Sequence, residues 1–273
     1  MKSSKTGTLL STLPAPIKMP KKQNEEDVNN ITNQFSIRIK TYNHSANWML
    51  DSRLIKAHVD ALGNGNKRKC LELCCGTGII GNALKKYNWD MTGLDLTKEM
   101  VEVANQFFPT VIGNVQDIPF ESNQFNTAVL RQSFMLLNGS ETLKEIHRVL
   151  KKDGEFLLSQ SVPFNTGDDE HYQKVQWTRH INMKKYYNTK DLSDELAGHD
   201  FEILETVYLC VEESINKWLD GAPELSSELR SRIFSLIAEA PESYKIARNV
   251  HVRNGELFEN WNWVLIKARA IKP

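Results

Sequence analysis

The feature that most constrains this chain is the stretch Leu71-Glu72-Leu73-Cys74-Cys75-Gly76-Thr77-Gly78-Ile79-Ile80-Gly81. An apolar run ends in two glycines one residue apart, and a second apolar run starts at once. Glycine permits positive φ and close approach of backbone to a ligand. A helix that begins there offers free N–H groups and the positive end of its dipole. The stretch therefore reads as strand, tight turn and helix, with a ligand expected at the turn.

The surrounding text repeats that alternation. Cys70–Leu73, Met91–Asp95, Thr110–Ile112, Asn126–Leu130 and Glu155–Leu158 read as strands. Gly78–Tyr87, Lys98–Phe107 (capped by Thr97) and a segment opened by Ser140 read as helices between them. Repeated strand–helix units imply a parallel sheet with helices on both faces. Later, Thr189–Gly198 reads as a helix, Phe201–Leu209 as a strand, 212–248 as helical and Asn262–Arg269 as a final strand. Leu229, Ile233, Leu236 and Ile237 form one apolar stripe in the helical part, whereas 161–187 is aromatic and polar without clear periodicity.

Taken alone, Gly76-x-Gly78-x-x-Gly81 with Asp95 further on fits a dinucleotide fingerprint, so an NAD enzyme is one reading. Two features turn it. Glu72 sits in the strand end, where a carboxylate faces an ammonium group well and a pyrophosphate poorly. Gly113-Asn114-Val115-Gln116-Asp117-Ile118-Pro119-Phe120 follows the third strand and places an acid where an adenine amine can donate to it. A ligand with an amino-acid tail, a ribose and an adenine but no phosphate suits both, and S-adenosylmethionine is such a ligand.

Together, Leu71–Gly81, Gly93–Met100, Gly113–Phe120 and Glu145–Gly154 make the chain resemble a class I S-adenosylmethionine-dependent methyltransferase, similar to the ubiquinone/menaquinone-biosynthesis type. The resemblance spans roughly 68–160. It implies an α/β, Rossmann-like, seven-stranded and mostly parallel sheet with an antiparallel last strand, helices on both faces, and helical lid segments. It assigns Glu72, Cys74, Gly76 and Gly78 to the methionine end, Asp95 to the ribose, Leu96 to the adenine face, and Asp117 with Gln116 to the adenine amine. Two positions depart from the family pattern. Cys74 stands where a glycine is usual, and Asn126 where an aspartate is frequent.

The expected reaction is methyl transfer from S-adenosylmethionine to an O, N or C nucleophile of a small molecule. The open alternatives are aminocarboxypropyl transfer or cyclisation with release of methylthioadenosine, and a catalytically silent cofactor-binding partner. Candidates near the reacting centre are Tyr42, Arg131, His171 and His180, each with a packing or surface role as its rival. No Asn/Asp-Pro-Pro-Tyr/Phe sequence follows the fourth strand, where Leu130-Arg131-Gln132-Ser133-Phe134 stands, and no Pro-Cys pair occurs. Both absences argue against nucleic-acid substrates. So does the balance of 34 basic against 34 acidic residues.

Residues 1–24 hold lysines and no acid, with only Leu9-Leu10 as an apolar pair, and are expected to be a disordered tail rather than a leader. A helical cap over 25–66 and the catalytic domain over 67–273 follow, with 161–187 and 212–255 as substrate-side lid and insert. The four cysteines, Cys70, Cys74, Cys75 and Cys210, have no metal spacing and are expected as buried thiols of a cytoplasmic protein. No metal and no membrane span are expected. Oligomeric state is not legible.

Overall fold

The computed structural model describes residues 25–273; the expected tail over 1–24 lies outside them. Eight strands form one sheet: β1 (Lys69–Leu73), β2 (Asp90–Asp95), β3 (Thr110–Ile112), β4 (Phe125–Arg131), β5 (Leu150–Val162), β6 (Phe201–Ser214), β7 (His251–Arg253) and β8 (Glu256–Ala270). Their order is β3-β2-β1-β4-β5-β8-β6, with β7 paired to β8 as a hairpin. The first five pair in parallel. The long β8 then inserts antiparallel between β5 and β6. The seven strands read from the sequence are all present, and the short β7 is an addition.

The sheet buries both faces, and the period-2 alternation of a strand sorts its residues between them. Cys70, Val129, Leu157 and Leu265 face one core. Leu71, Ala128, Leu130, Phe156, Leu158 and Ile266 face the other. Helices α1 (Glu25–Arg38) and α2 (Ser52–Leu62) precede β1, α3 (Ile79–Lys85) and α4 (Lys98–Ala104) flank β2, and α5 (Gly139–Val149) joins β4 to β5. Then come α6 (Thr166–Arg179), α7 (Thr189–Ala197), α8 (Ile215–Asp220), α9 (Ser227–Ala238) and α10 (Glu242–Arg248). In α9, Ile233 and Ile237 are fully buried, while Leu229 and Leu236 pack at the margin.

Several local expectations are corrected. Asn138, not Ser140, caps α5, accepting from the Glu141 N–H. Thr97 holds the N-cap position of α4 without a capping bond. Strand β5 starts at Leu150, so Gly154 lies inside it. Helix α6 was hidden because its buried face, Asp168, Tyr172, Val175, Gln176 and Arg179, has helical spacing but largely polar members. A search for apolar periodicity cannot see such a face. Its start is nevertheless explicit, since Asn165 and Asp168 form a reciprocal capping box. Cys210 is exposed, not buried, and all four cysteines are free. Among the described residues no helix is long and apolar enough to cross a membrane, and no cluster of His, Cys, Asp or Glu could hold a metal ion.

Candidate active site

Strands β1, β2 and β4 end at the same edge of the sheet, as ligand sites in open α/β folds do. There Gly76 has φ +53° and Gly78 φ +77°, the left-handed region that the tight turn requires. Cys74 also lies there, at φ +47°. The glycine-to-cysteine departure therefore falls on a backbone that favours glycine, a strain of roughly 1–2 kcal/mol.

Two carboxylates fasten the turn. Asp95, at the end of β2, accepts the Gly76 N–H at 2.8 Å through Oδ2 and the Thr97 N–H at 2.9 Å through Oδ1. Glu72, in β1, accepts the Gly81 N–H at 2.9 Å. Burial raises Asp95 above the usual carboxylate range and pushes Glu72 up to about 7. A carboxylate oxygen has more than one lone pair, so both groups can accept further bonds from a ligand.

Two clefts of about 980 and 620 Å³, open to solvent, meet at this edge. The smaller is lined by Gly76, Asp95, Leu96, Asn114 and Val115, with Leu136 and Leu137 opposite. Asp117 is exposed and does not line it, and Gln116 is turned to accept the Asn138 N–H at 2.7 Å. Asn114 is thus the polar side chain that the Gly113–Phe120 loop brings to the cleft. Its position directly after Gly113 was the signal that could have found it. That loop is held from behind. Glu145 accepts the Ile118 N–H at 2.7 Å, and Arg148 donates to the carbonyls of Phe120 and Ile118 at 2.7 and 2.8 Å. Asn126 accepts the Lys69 N–H at 3.1 Å and the Lys151 ammonium at 3.4 Å, a role at the strand starts far from the turn.

The larger cleft is lined by Glu72, Cys74, Tyr42, Arg131, Arg179 and His180, and by Trp48, Trp218 and Trp261. Phe35, Tyr42, Cys74, Ser133 and Leu136 line both clefts and mark their junction. Tyr42 lies across the turn: a Cβ on Gly76 would come within 3.1 Å of its ring. Burial pushes the Tyr42 phenol up to about 12, so it is a neutral donor at neutral pH. Arg131 Cζ sits 5.0 Å over the Trp48 ring, and Trp48 in turn packs on Trp263. Burial keeps the His180 imidazole well below its ordinary value, hence neutral. His171 is elsewhere, with Nε2 on the Leu236 carbonyl at 2.7 Å and its ring against Tyr244. Sequence reading also missed Gln132, at φ +54°, whose amide exchanges two 2.7 Å bonds with Ser161.

Comparison with known proteins agrees with this geometry. Residues 71–158 match the family described as methyltransferase domain. A demethylmenaquinone methyltransferase of Thermotoga maritima is 28% identical over 123 residues, which cover 43% of this chain and 54% of that protein. A sterol 4-C-methyltransferase of Caenorhabditis elegans is 25% identical over 122 residues, covering 41% of this chain and 36% of that protein. The chain thus spans about half the length, or less, of these relatives. The fold of a candidate methyltransferase from Bacillus halodurans superposes with a TM-score of 0.72 at 21% identity, over 80% of this chain and 99% of that one. The sheet order is that of the methyltransferase fold, and over residues 71–158 the chain is similar to class I S-adenosylmethionine-dependent methyltransferases. Within that class the chain is similar to the quinone-biosynthesis type.

The donor set fits such a cofactor. The smaller cleft offers a carboxylate between apolar walls, as an adenosine requires, and the turn brings backbone rather than side chain to the ligand. Among the described residues neither Lys nor Arg lines the smaller cleft. That suits a ribose and an adenine better than a pyrophosphate.

Proposed function

We propose that the protein transfers the methyl group of S-adenosylmethionine to an O, N or C nucleophile of a small molecule, giving S-adenosylhomocysteine. One observation carries the reading. The left-handed glycine turn is bonded directly to Asp95, and Gly81 in the helix that follows it is bonded to Glu72, so one hydrogen-bonded unit presents Asp95 to the smaller cleft and Glu72 to the larger. In this reading Asp95 takes the ribose hydroxyls, Leu96 and Val115 flank the adenine, Asn114 meets its polar edge, and Glu72 faces the amino group. Arg131 is the nearby cation for the cofactor carboxylate.

The cofactor supplies a methyl group already activated on sulfonium. The protein's share is positioning and exclusion of water. Residues 34–49, 179–182 and 218–221 line the acceptor side and act as the lid. Tyr42 and His180, both neutral, can orient an acceptor hydroxyl or amine by hydrogen bonding. The names of the matched relatives, a demethylmenaquinone and a sterol methyltransferase, support a small organic acceptor with apolar surface. Trp48, Trp218 and Trp261 in the larger cleft are suited to such a surface.

The test is product analysis with methyl-deuterated cofactor. Deuterated methyl on an acceptor together with S-adenosylhomocysteine supports the reading. Methylthioadenosine would replace it with aminocarboxypropyl chemistry, and absence of cofactor binding by calorimetry would overturn it.

A further inference from the structure

The acceptor side of the larger cleft holds a guanidinium that makes no direct ion pair with any described residue. Arg179, the last residue of α6, is 2% exposed and lines that cleft. Its Nη2 donates to the Trp218 carbonyl at a long 3.4 Å, and its Cζ lies 5.1 Å from the Trp218 ring centre. Its Nε and Nη1 are buried with no hydrogen-bond partner. The carboxylate that acts on it, Glu224, is already held by the Arg38 guanidinium and by Gln34 at 2.9 Å. Arg38 and Arg230 add further positive charge around it.

Burying an ion with unmade donors is unfavourable, and such a group calls for a partner that arrives from outside. The planar fork of arginine matches an oxyanion through two parallel bonds. The cofactor can supply one carboxylate, but it has a nearer cation. Arg131 projects from β4 and interacts electrostatically with Glu72 and Tyr42, whereas Arg179 projects from α6 against the insert helix that carries Trp218. A second cation in the same cleft is left for the other reactant.

We propose that Arg179 is an anion subsite for the methyl acceptor, which carries a carboxylate or phosphate group beside an apolar body flanked by Trp218. The proposal rests on the methyl-transfer reading and adds a charge class to its substrate. Both unpartnered nitrogens are shut from water, so pairing requires the guanidinium to swing off the indole toward the cavity. The weak bond to the Trp218 carbonyl scarcely opposes that movement, which alters the surroundings of Trp218.

The test uses the full chain saturated with S-adenosylhomocysteine and titrated with benzoate, phenyl phosphate and neutral benzamide, followed by tryptophan fluorescence. Benzoate, phenyl phosphate or both should change the emission saturably, with at least tenfold weaker binding of benzamide. The stronger of the two anions identifies the head group as carboxylate or phosphate. Arg179→Met should weaken the anion at least tenfold, bind S-adenosylhomocysteine normally by calorimetry, and melt at the same temperature or a few degrees higher, because an uncompensated buried charge has been removed. Binding of benzamide as tight as that of the anions, no response to either anion, or unaltered anion binding by Arg179→Met would each overturn the proposal. If the variant fails to fold, the comparison of benzoate with benzamide on the unmodified chain decides. Failure of S-adenosylhomocysteine to bind the unmodified chain counts against the cofactor reading, which separates the two.

Discussion

Asp95 Oδ2 accepts the Gly76 N–H at 2.8 Å, so the carboxylate that ends β2 and the turn that follows β1 form a single hydrogen-bonded unit, which the proposed function makes a binding element. Removing it acts twice. Asp95→Ala deletes charge-assisted bonds to ligand, worth roughly 1.5–3 kcal/mol each, and also frees the turn. Calorimetry should show S-adenosylmethionine binding weakened at least tenfold while circular dichroism reports an intact fold. Unchanged affinity would place the ribose elsewhere.

The turn itself separates steric from conformational demands. A Cβ at Gly78 would meet the Phe108 ring at 3.0 Å on a backbone of φ +77°. Gly78→Val should abolish cofactor binding. Cys74→Gly should do the opposite: relief of the left-handed strain offsets the added freedom of the unfolded chain, so stability should change by no more than about 1 kcal/mol and binding should persist. Loss of binding in Cys74→Gly would give the thiol a direct role at the junction of the two clefts.

Arg248 is fully buried and ties three elements together. It donates to Asp168 at 2.9 Å, lies 3.7 Å from Glu259, and faces the Tyr172 ring at 3.6 Å. Asp168 also receives the N–H groups of Phe164 and Asn165. Asp168→Ala leaves the guanidinium under-compensated and uncaps α6, and should cost about 3–5 kcal/mol in a denaturant titration. Arg248→Met, which exchanges the charge for apolar volume, strands two carboxylates and should cost a comparable amount. Near-neutral effects for both variants would show that the network is dispensable.

His58 gives stability a pH signature. Its Nδ1 meets the Leu54 carbonyl at 2.7 Å and must donate to it, so Nε2 accepts from the Ser159 hydroxyl at 2.7 Å. Burial pushes this imidazole down to about 3. Between about 3 and its ordinary 6.5 the unfolded chain binds a proton that the native chain refuses, so the histidine's contribution falls as pH falls through that window. His58→Asn should be less stable than the unmodified chain at pH 7. The gap should narrow by up to about 1.4 kcal/mol per pH unit on acidification below 6.5. A gap independent of pH would mean that His58 takes up its proton in the native chain as readily as in the unfolded one.

The seven main strands, the parallel character of the first five and the glycine turn after β1 could be read from the chain alone, because they rest on local chemistry. Strand runs of period 2, glycines at positive φ and an acid at each strand end lie within a few residues of one another. Asp117 was expected at the adenine amine; it is exposed, and Asn114 is the residue of that loop that lines the smaller cleft, because sequence shows an acid but not whether it points into a cleft. Helix α6 escaped because its inward face is built of Asp168, Gln176 and Arg179, polar groups that are buried only because distant elements cover or pair them.

What the sequence determined by itself was therefore the sheet with helices on both faces and the glycine turn at its edge, since neighbouring residues and their backbone preferences suffice for both. Only the tertiary structure decided which cations line the larger cleft. Arg131 and Arg179 are 48 residues apart in the chain, on elements of different type, yet line one cleft. Whether each finds a partner depends on where Glu72, Glu224 and Trp218 come to rest. Charge compensation is a property of distances in space, and no local pattern encodes it.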